Sequence, residues 1–77
     1  MMSEKTQLGY LEWQALLILY RNRERTSSPL RYVGLPSTVT GLINHRPPFA
    51  QWVGKPSEQL VHITRDGISF YEVDDQA

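Results

Sequence analysis

Ser37, Thr40 and Asn44 are the residues of this chain whose types and spacing best suit chemistry. They lie in the run Pro36-Ser37-Thr38-Val39-Thr40-Gly41-Leu42-Ile43-Asn44-His45-Arg46. At helical steps of three and four they share one side with Gly41, while Val39, Leu42 and Ile43 fall on another. Hydroxyl and carboxamide groups both donate and accept hydrogen bonds, and a carboxamide matches the donor–acceptor pair on the major-groove edge of adenine. A plain surface helix is normally covered with Glu and Lys. A small, uncharged, hydrogen-bonding face opposite an apolar one suits a helix that docks by one side and offers the other to a partner such as duplex DNA. Ser37 and Thr38 at the start of such a helix would set hydroxyls beside free backbone N–H groups, which favours a phosphate. Ser37 equally reads as a plain N-cap. Gly41 permits close approach, either by DNA or by a second helix.

Other chemistries find less support. His45 and His62 are the only histidines, and neither sits in an HExxH or His-x-His spacing. With no cysteine, a disulfide framework and a thiolate metal site are both ruled out. No nucleophile is paired with a base, no Gly-rich phosphate loop occurs, and no pair of acids is embedded in apolar sequence. The expectation is a binding protein that is not an enzyme and uses no metal or cofactor.

The formal net charge is zero, but the charges are segregated. Arg21, Arg23, Arg25, Arg31, Arg46, Lys55 and Arg65 face only Glu24 and Glu58 within the same stretch, a surplus of about +5 by direct count. Glu4, Glu12, Asp66, Glu72, Asp74 and Asp75 restore the balance at the two ends. A basic middle of this kind is able to form one positive face for phosphates, with Arg46, Lys55 and Arg65 as candidate contacts. Arg21, Arg23 and Arg25 have a second explanation, because cations are favoured at the C-terminus of the helix that precedes them.

Seventy-seven residues, 40% of them hydrophobic, are enough for one small domain. Met1 to Gln7 is too polar for a secretory signal and reads as a frayed leader, and residues 74–77 read as a short acidic tail. The longest apolar run, Ala15 to Tyr20, is far short of a membrane span. Together these predict a soluble cytoplasmic domain. From Leu8 or Tyr10 to about Arg23, Leu8, Leu11, Ala15, Ile18 and Leu19 make a helical stripe, joined by Leu16 and Tyr20. Thr26-Ser27-Ser28-Pro29 is a helix-start signal, with Ser27 or Ser28 as N-cap and Pro29 in the first turn. Leu30 to Val33 then supply a short helix, which Gly34 is placed to close in the left-handed conformation. The next helix spans about 37–46 and stops at Pro47-Pro48. Phe49 to Val53 packs either as a helical turn or as an extended piece, and Gly54-Lys55-Pro56-Ser57 is a loop. Leu60–Thr64 and Ile68–Val73 read as strands joined by Arg65-Asp66-Gly67, since Asp-Gly between β-prone runs signals a hairpin.

Three helices followed by a hairpin make an α+β winged helix-turn-helix, and several segments resemble the core of MarR-type transcriptional regulators. Ser37-Thr38-Val39-Thr40 with Leu42-Ile43 looks like the start of that family's recognition helix. Leu60-Val61-His62-Ile63-Thr64-Arg65-Asp66-Gly67, ending near Tyr71-Glu72, is similar to its wing, where a hydrophobic strand leads into Thr-x-x-Gly. Leu11 to Leu19 is similar to the helix ahead of its helix-turn-helix. Pro47-Pro48 interrupts the chain where the family's recognition helix continues, and the long terminal helices that build its dimer have no counterpart here.

The resemblance implies double-stranded DNA as partner, a homodimer, a recognition helix at about 37–46 in the major groove and a wing at about 60–73 beside it. It implies contacts from Ser37, Thr38, Thr40 and Asn44, with Arg65 at the wing. The alternative expectation is an adaptor module that binds another protein, because a fold does not dictate a function. Tyr10, Trp13, Phe49 and Trp52 are many aromatics for so small a core, and an exposed pair of them would suit an interface.

Overall fold

The computed structural model describes residues 8–76, with side chains through residue 73. The leader 1–7 and Ala77 lie outside the described residues. The leucine-rich stripe forms α1, Tyr10–Arg21, burying Ala15, Leu16 and Leu19. Glu12 in the first turn accepts a hydrogen bond from the Gly9 N–H at 3.0 Å, satisfying one of the donors a helix start leaves unpaired. At the other end Asn22 closes the helix, its backbone N–H and its side-chain amide both donating to the Ile18 carbonyl. Leu8 is buried just ahead of the helix, whereas Leu11 remains 55% exposed.

A two-residue strand β1, Ser28–Pro29, leads into the single-turn helix α2, Leu30–Val33, and then α3, Pro36–Ile43. Strand β2, Ala50–Val53, pairs antiparallel with β3, Leu60–Ile63, and β3 pairs antiparallel with β1, giving the order β1-β3-β2. The last element is α4, Arg65–Gln76. Among the described residues the architecture is therefore α+β, four helices against a three-stranded antiparallel sheet. No helix among the described residues is long and apolar enough to cross a membrane.

Several expectations are corrected. Ser28-Pro29 is a strand, with Pro29 itself at the N-cap of α2 and no serine side chain capping it; as an edge strand, β1 tolerates a proline that donates no ladder hydrogen bond. Gly34 is extended at φ 166° and not left-handed. Helix α3 begins one residue early, with Leu35 at the N-cap and Pro36 in the first turn, so Ser37 lies inside the helix and does not cap it; it ends at Ile43 instead of about 46, leaving Asn44 at the C-cap and Arg46 in the turn beyond.

The largest correction concerns the hairpin. It is built from β2 and β3, the register running from Ala50↔Ile63 to Val53↔Leu60, and its tip contains Gly54 at φ +72° and a 3₁₀ turn at Pro56–Glu58. The hairpin is thus internal rather than C-terminal, and the stretch Ile68–Val73 belongs to α4, which runs on through the acidic tail to Gln76. Thr64 decides this: its hydroxyl accepts from the Gly67 N–H at 3.0 Å and donates to the Pro48 carbonyl at 2.6 Å, a side-chain cap that starts a helix. The Thr-x-x-Gly segment thus opens α4, and Arg65-Asp66-Gly67 is a first helical turn.

Helix α4 is held by aromatic packing. Phe70 stacks on Phe49 at 4.5 Å between ring centroids and on Trp13 at 5.4 Å. Tyr71 meets Tyr20 at 4.4 Å and Trp13 at 6.2 Å, while His45 stacks on the far side of Phe49 at 4.1 Å. The Tyr20 hydroxyl donates to the Glu72 carboxylate at 2.8 Å. That bond holds the phenol above its ordinary pKa of 10.0, with desolvation acting in the same direction and the Arg23 charge against it.

Two substitutions check this account. Gly67→Ala gains up to about 1 kcal/mol of helix propensity. However, its Cβ would press into the Phe49 carbonyl oxygen and lie 2.9 Å from Ile63 Cγ1. A net loss of about 1–3 kcal/mol is expected in urea unfolding, and a stabilised variant would contradict the close packing. Phe70→Ala should cost about 3 kcal/mol in the same measurement; a loss under about 1 kcal/mol would mean that α4 is not anchored by its rings.

Candidate nucleic-acid interface

Helix α3 rests on α1 through Thr38, Val39 and Leu42 and turns Ser37, Thr40 and Asn44 to solvent. That division follows from the helical period, which places the small polar residues a half-turn away from the buried ones. The three exposed side chains form one uncharged polar stripe. Thr38 does not join it. It is only 8% exposed and lines a shallow hollow with Leu11, Ile18, Val33 and Leu35, because its position on the helix faces α1. Its expected contact with DNA is therefore corrected to a packing role.

Gly41 lies at the edge of the stripe nearest α1, and a Cβ there would meet the Glu12 carboxylate. What approaches Gly41 from the neighbouring helix is the end of the Glu12 side chain. The α1 edge of α3 consequently carries a negative charge. Strand β2 packs against α3 as well, and the Phe49 N–H just ahead of it donates to the Leu42 carbonyl at 3.0 Å.

The cations are distributed around these elements. Arg46 follows α3 in the turn that leads to β2 and is exposed, with its guanidinium donating to the carbonyls of His45 at 3.1 Å and Asn44 at 3.4 Å. Lys55 is exposed at the hairpin tip, where its backbone N–H donates to the Glu58 carboxylate at 3.2 Å. Arg31 is exposed on α2 and lies over the Tyr32 ring at 4.8 Å. Arg65 is the first residue of α4, at the open end of the hairpin. About 10 Å of strand separates it from the tip, so it is not the wing-tip contact expected of it. Arg23 serves the fold: it stacks on Tyr20 at 4.1 Å and donates to that residue's carbonyl at 2.8 Å.

The two histidines are structural in their contacts. His62 on β3 is half-buried with Nε2 3.0 Å from the Arg23 carbonyl, and the His45 ring lies on Phe49 with Nδ1 3.1 Å from the Pro47 carbonyl. Of the four aromatics singled out as a possible interface, Trp13 and Phe49 are taken up by the ring stack. Tyr10 and Trp52 remain exposed, at 75% and 43%. Trp52, expected only as one of those interface aromatics, is the residue near α3 that was not placed among the DNA contacts; its signal was the apolar run Phe49–Val53 beside the Gly-Lys-Pro loop.

No family model, curated protein or solved structure matches this chain.

The Gly41 arrangement yields a check on whether the stripe tolerates change. Gly41→Ala should alter stability by no more than about 1 kcal/mol, helix propensity offsetting the displaced Glu12 cap. A loss above about 2 kcal/mol in thermal unfolding would mean that α1 and α3 need closer contact than Glu12 alone explains.

Proposed function

We propose that this domain is a winged helix-turn-helix that binds double-stranded DNA, with α3 as recognition helix and the β2–β3 hairpin as wing, acting as a small transcriptional regulator in the cytoplasm. The observation that carries the reading is one arrangement. Helix α3 is docked by its apolar side on α1 and offers Ser37, Thr40 and Asn44 outward, while a hairpin tipped by Lys55 packs alongside. An α-helix fits the major groove, and side chains of these types read base edges there. Arg46 and Lys55 would hold phosphates on either side, a role that positions the protein without reading sequence. The mode of action is binding alone, with no catalytic step and no cofactor.

A second reading has its own support. Leu11 and Leu35 are exposed around the hollow that Ile18, Val33 and Thr38 line, and an apolar patch of this kind suits a second copy of the chain or another protein. Under the DNA reading, the second copy would supply the avidity that one small domain lacks.

Fluorescence anisotropy with a random-sequence duplex, titrated at two salt concentrations, separates the two readings. Binding that weakens steeply with salt is expected. On a selected site Asn44→Ala should lose about 1–3 kcal/mol of discrimination. Arg46→Ala and Lys55→Ala should weaken all duplexes alike and lower the salt slope by about 1 each, and Thr38→Val should leave affinity unchanged. Equal losses on selected and random sequences for Asn44→Ala would refute its assigned role. Absence of duplex binding at low salt, together with a stable dimer or a captured protein, would favour the adaptor reading.

A further inference from the structure

Strand β2 alternates about the sheet, and the face that carries Ala50 and Trp52 is the core face, since the paired Ile63 and Val61 are both buried. Every other member of that face is sealed: Ala50 and Val61 are fully buried and Ile63 is 2% exposed. Trp52 keeps 43% of its surface in solvent. It does so because β2 is an edge strand and Trp52 sits toward the tip, where the indole overhangs the limit of the core. The ring is thus held at its base by the sheet and open at its outer edge, along the strand that packs on α3 and one turn of chain from Lys55.

Charge selects the side on which a duplex would lie. The α1 edge of α3 bears Glu12 against Gly41 with no cation beside it in the contacts described, which repels phosphate, whereas at the hairpin edge the two cations Arg46 and Lys55 outnumber the one carboxylate, Glu58, at the tip. We propose that Trp52 is a further DNA-contacting residue, which joins α3 and the hairpin into one surface by laying its indole against the sugar–phosphate backbone. This rests on the duplex-binding reading above. An indole offers a flat apolar plate and a single N–H donor with no acceptor, which fits a deoxyribose face and a phosphate oxygen and carries no base code. Being uncharged, it displaces no counterion. Its removal therefore lowers affinity for every duplex without altering the salt slope, which sets it apart from Lys55 and Arg46.

The test pairs affinity with intrinsic fluorescence, because Trp13, the other indole, is stacked within the ring row. Trp52→Ala is expected to bind a random-sequence duplex about tenfold more weakly with an unchanged salt slope, and Trp52→Phe to recover part of the loss. In the wild-type protein, saturating duplex should shift the emission and shield it from acrylamide; in Trp52→Phe that response should vanish. Should Trp52→Ala fail to fold, the shielding in wild-type protein and its loss in Trp52→Phe decide the matter. Wild-type binding with unshielded Trp52 emission and undiminished affinity in Trp52→Phe would overturn the inference while leaving duplex binding intact. No binding by the wild-type protein to any duplex at low salt would overturn both.

Discussion

A row of rings, Tyr20, Tyr71, Trp13, Phe70, Phe49 and His45, crosses the molecule, each in contact with the next, and the joining of α3, the hairpin and α4 depends on its buried member Phe49. Phe49 is 3% exposed and has both backbone groups engaged, its N–H with the Leu42 carbonyl of α3 and its carbonyl with the Thr64 N–H at the end of β3. One residue therefore sets α3 against the hairpin, and α4 locks it by stacking Phe70 on its ring. In a domain this small, where little apolar surface is buried per residue, such stacked rings supply area and geometry together.

That constraint explains why α3, with its polar stripe, and the β2–β3 hairpin lie side by side. The stripe contributes hydrogen-bonding capacity without charge, and the cations are confined to its surroundings. Part of the basic surplus in the middle of the chain is already engaged: Arg23 is committed to Tyr20, and Arg46 shares its guanidinium with the carbonyls that end α3. On the duplex-binding reading, a surface with few free cations would rely on shape and apolar contact as much as on phosphate attraction. The exposed indole of Trp52 fits that economy of charge.

Much of this was legible in the order of residues. The leucine stripe of α1, the apolar and polar sides of α3, the Gly-Lys-Pro-Ser loop and the β-prone run of β3 all follow from period and turn chemistry, because each is a local preference that the packing reinforced. Ile68–Val73 was not legible. Its β-branched and aromatic residues favour a strand in isolation, and only the Thr64 cap and the stacking of Phe70 and Tyr71 on α1 make it a helix. Gly67 shows the same ambiguity: a glycine after Asp signals a turn, yet here it serves the close approach of Phe49.

What the amino-acid order determined by itself, then, was the identity of the helix with a hydrogen-bonding face and the β-prone run at Leu60–Ile63. Local periodicity and turn residues encode those without any partner. Only the tertiary structure decided which strands make the hairpin, that Thr38 turns inward, that Arg65 lies at the far end from Lys55, and that Trp52 overhangs the core. Those are matters of which surfaces meet, and the meeting depends on contacts between residues distant along the chain that no local pattern records.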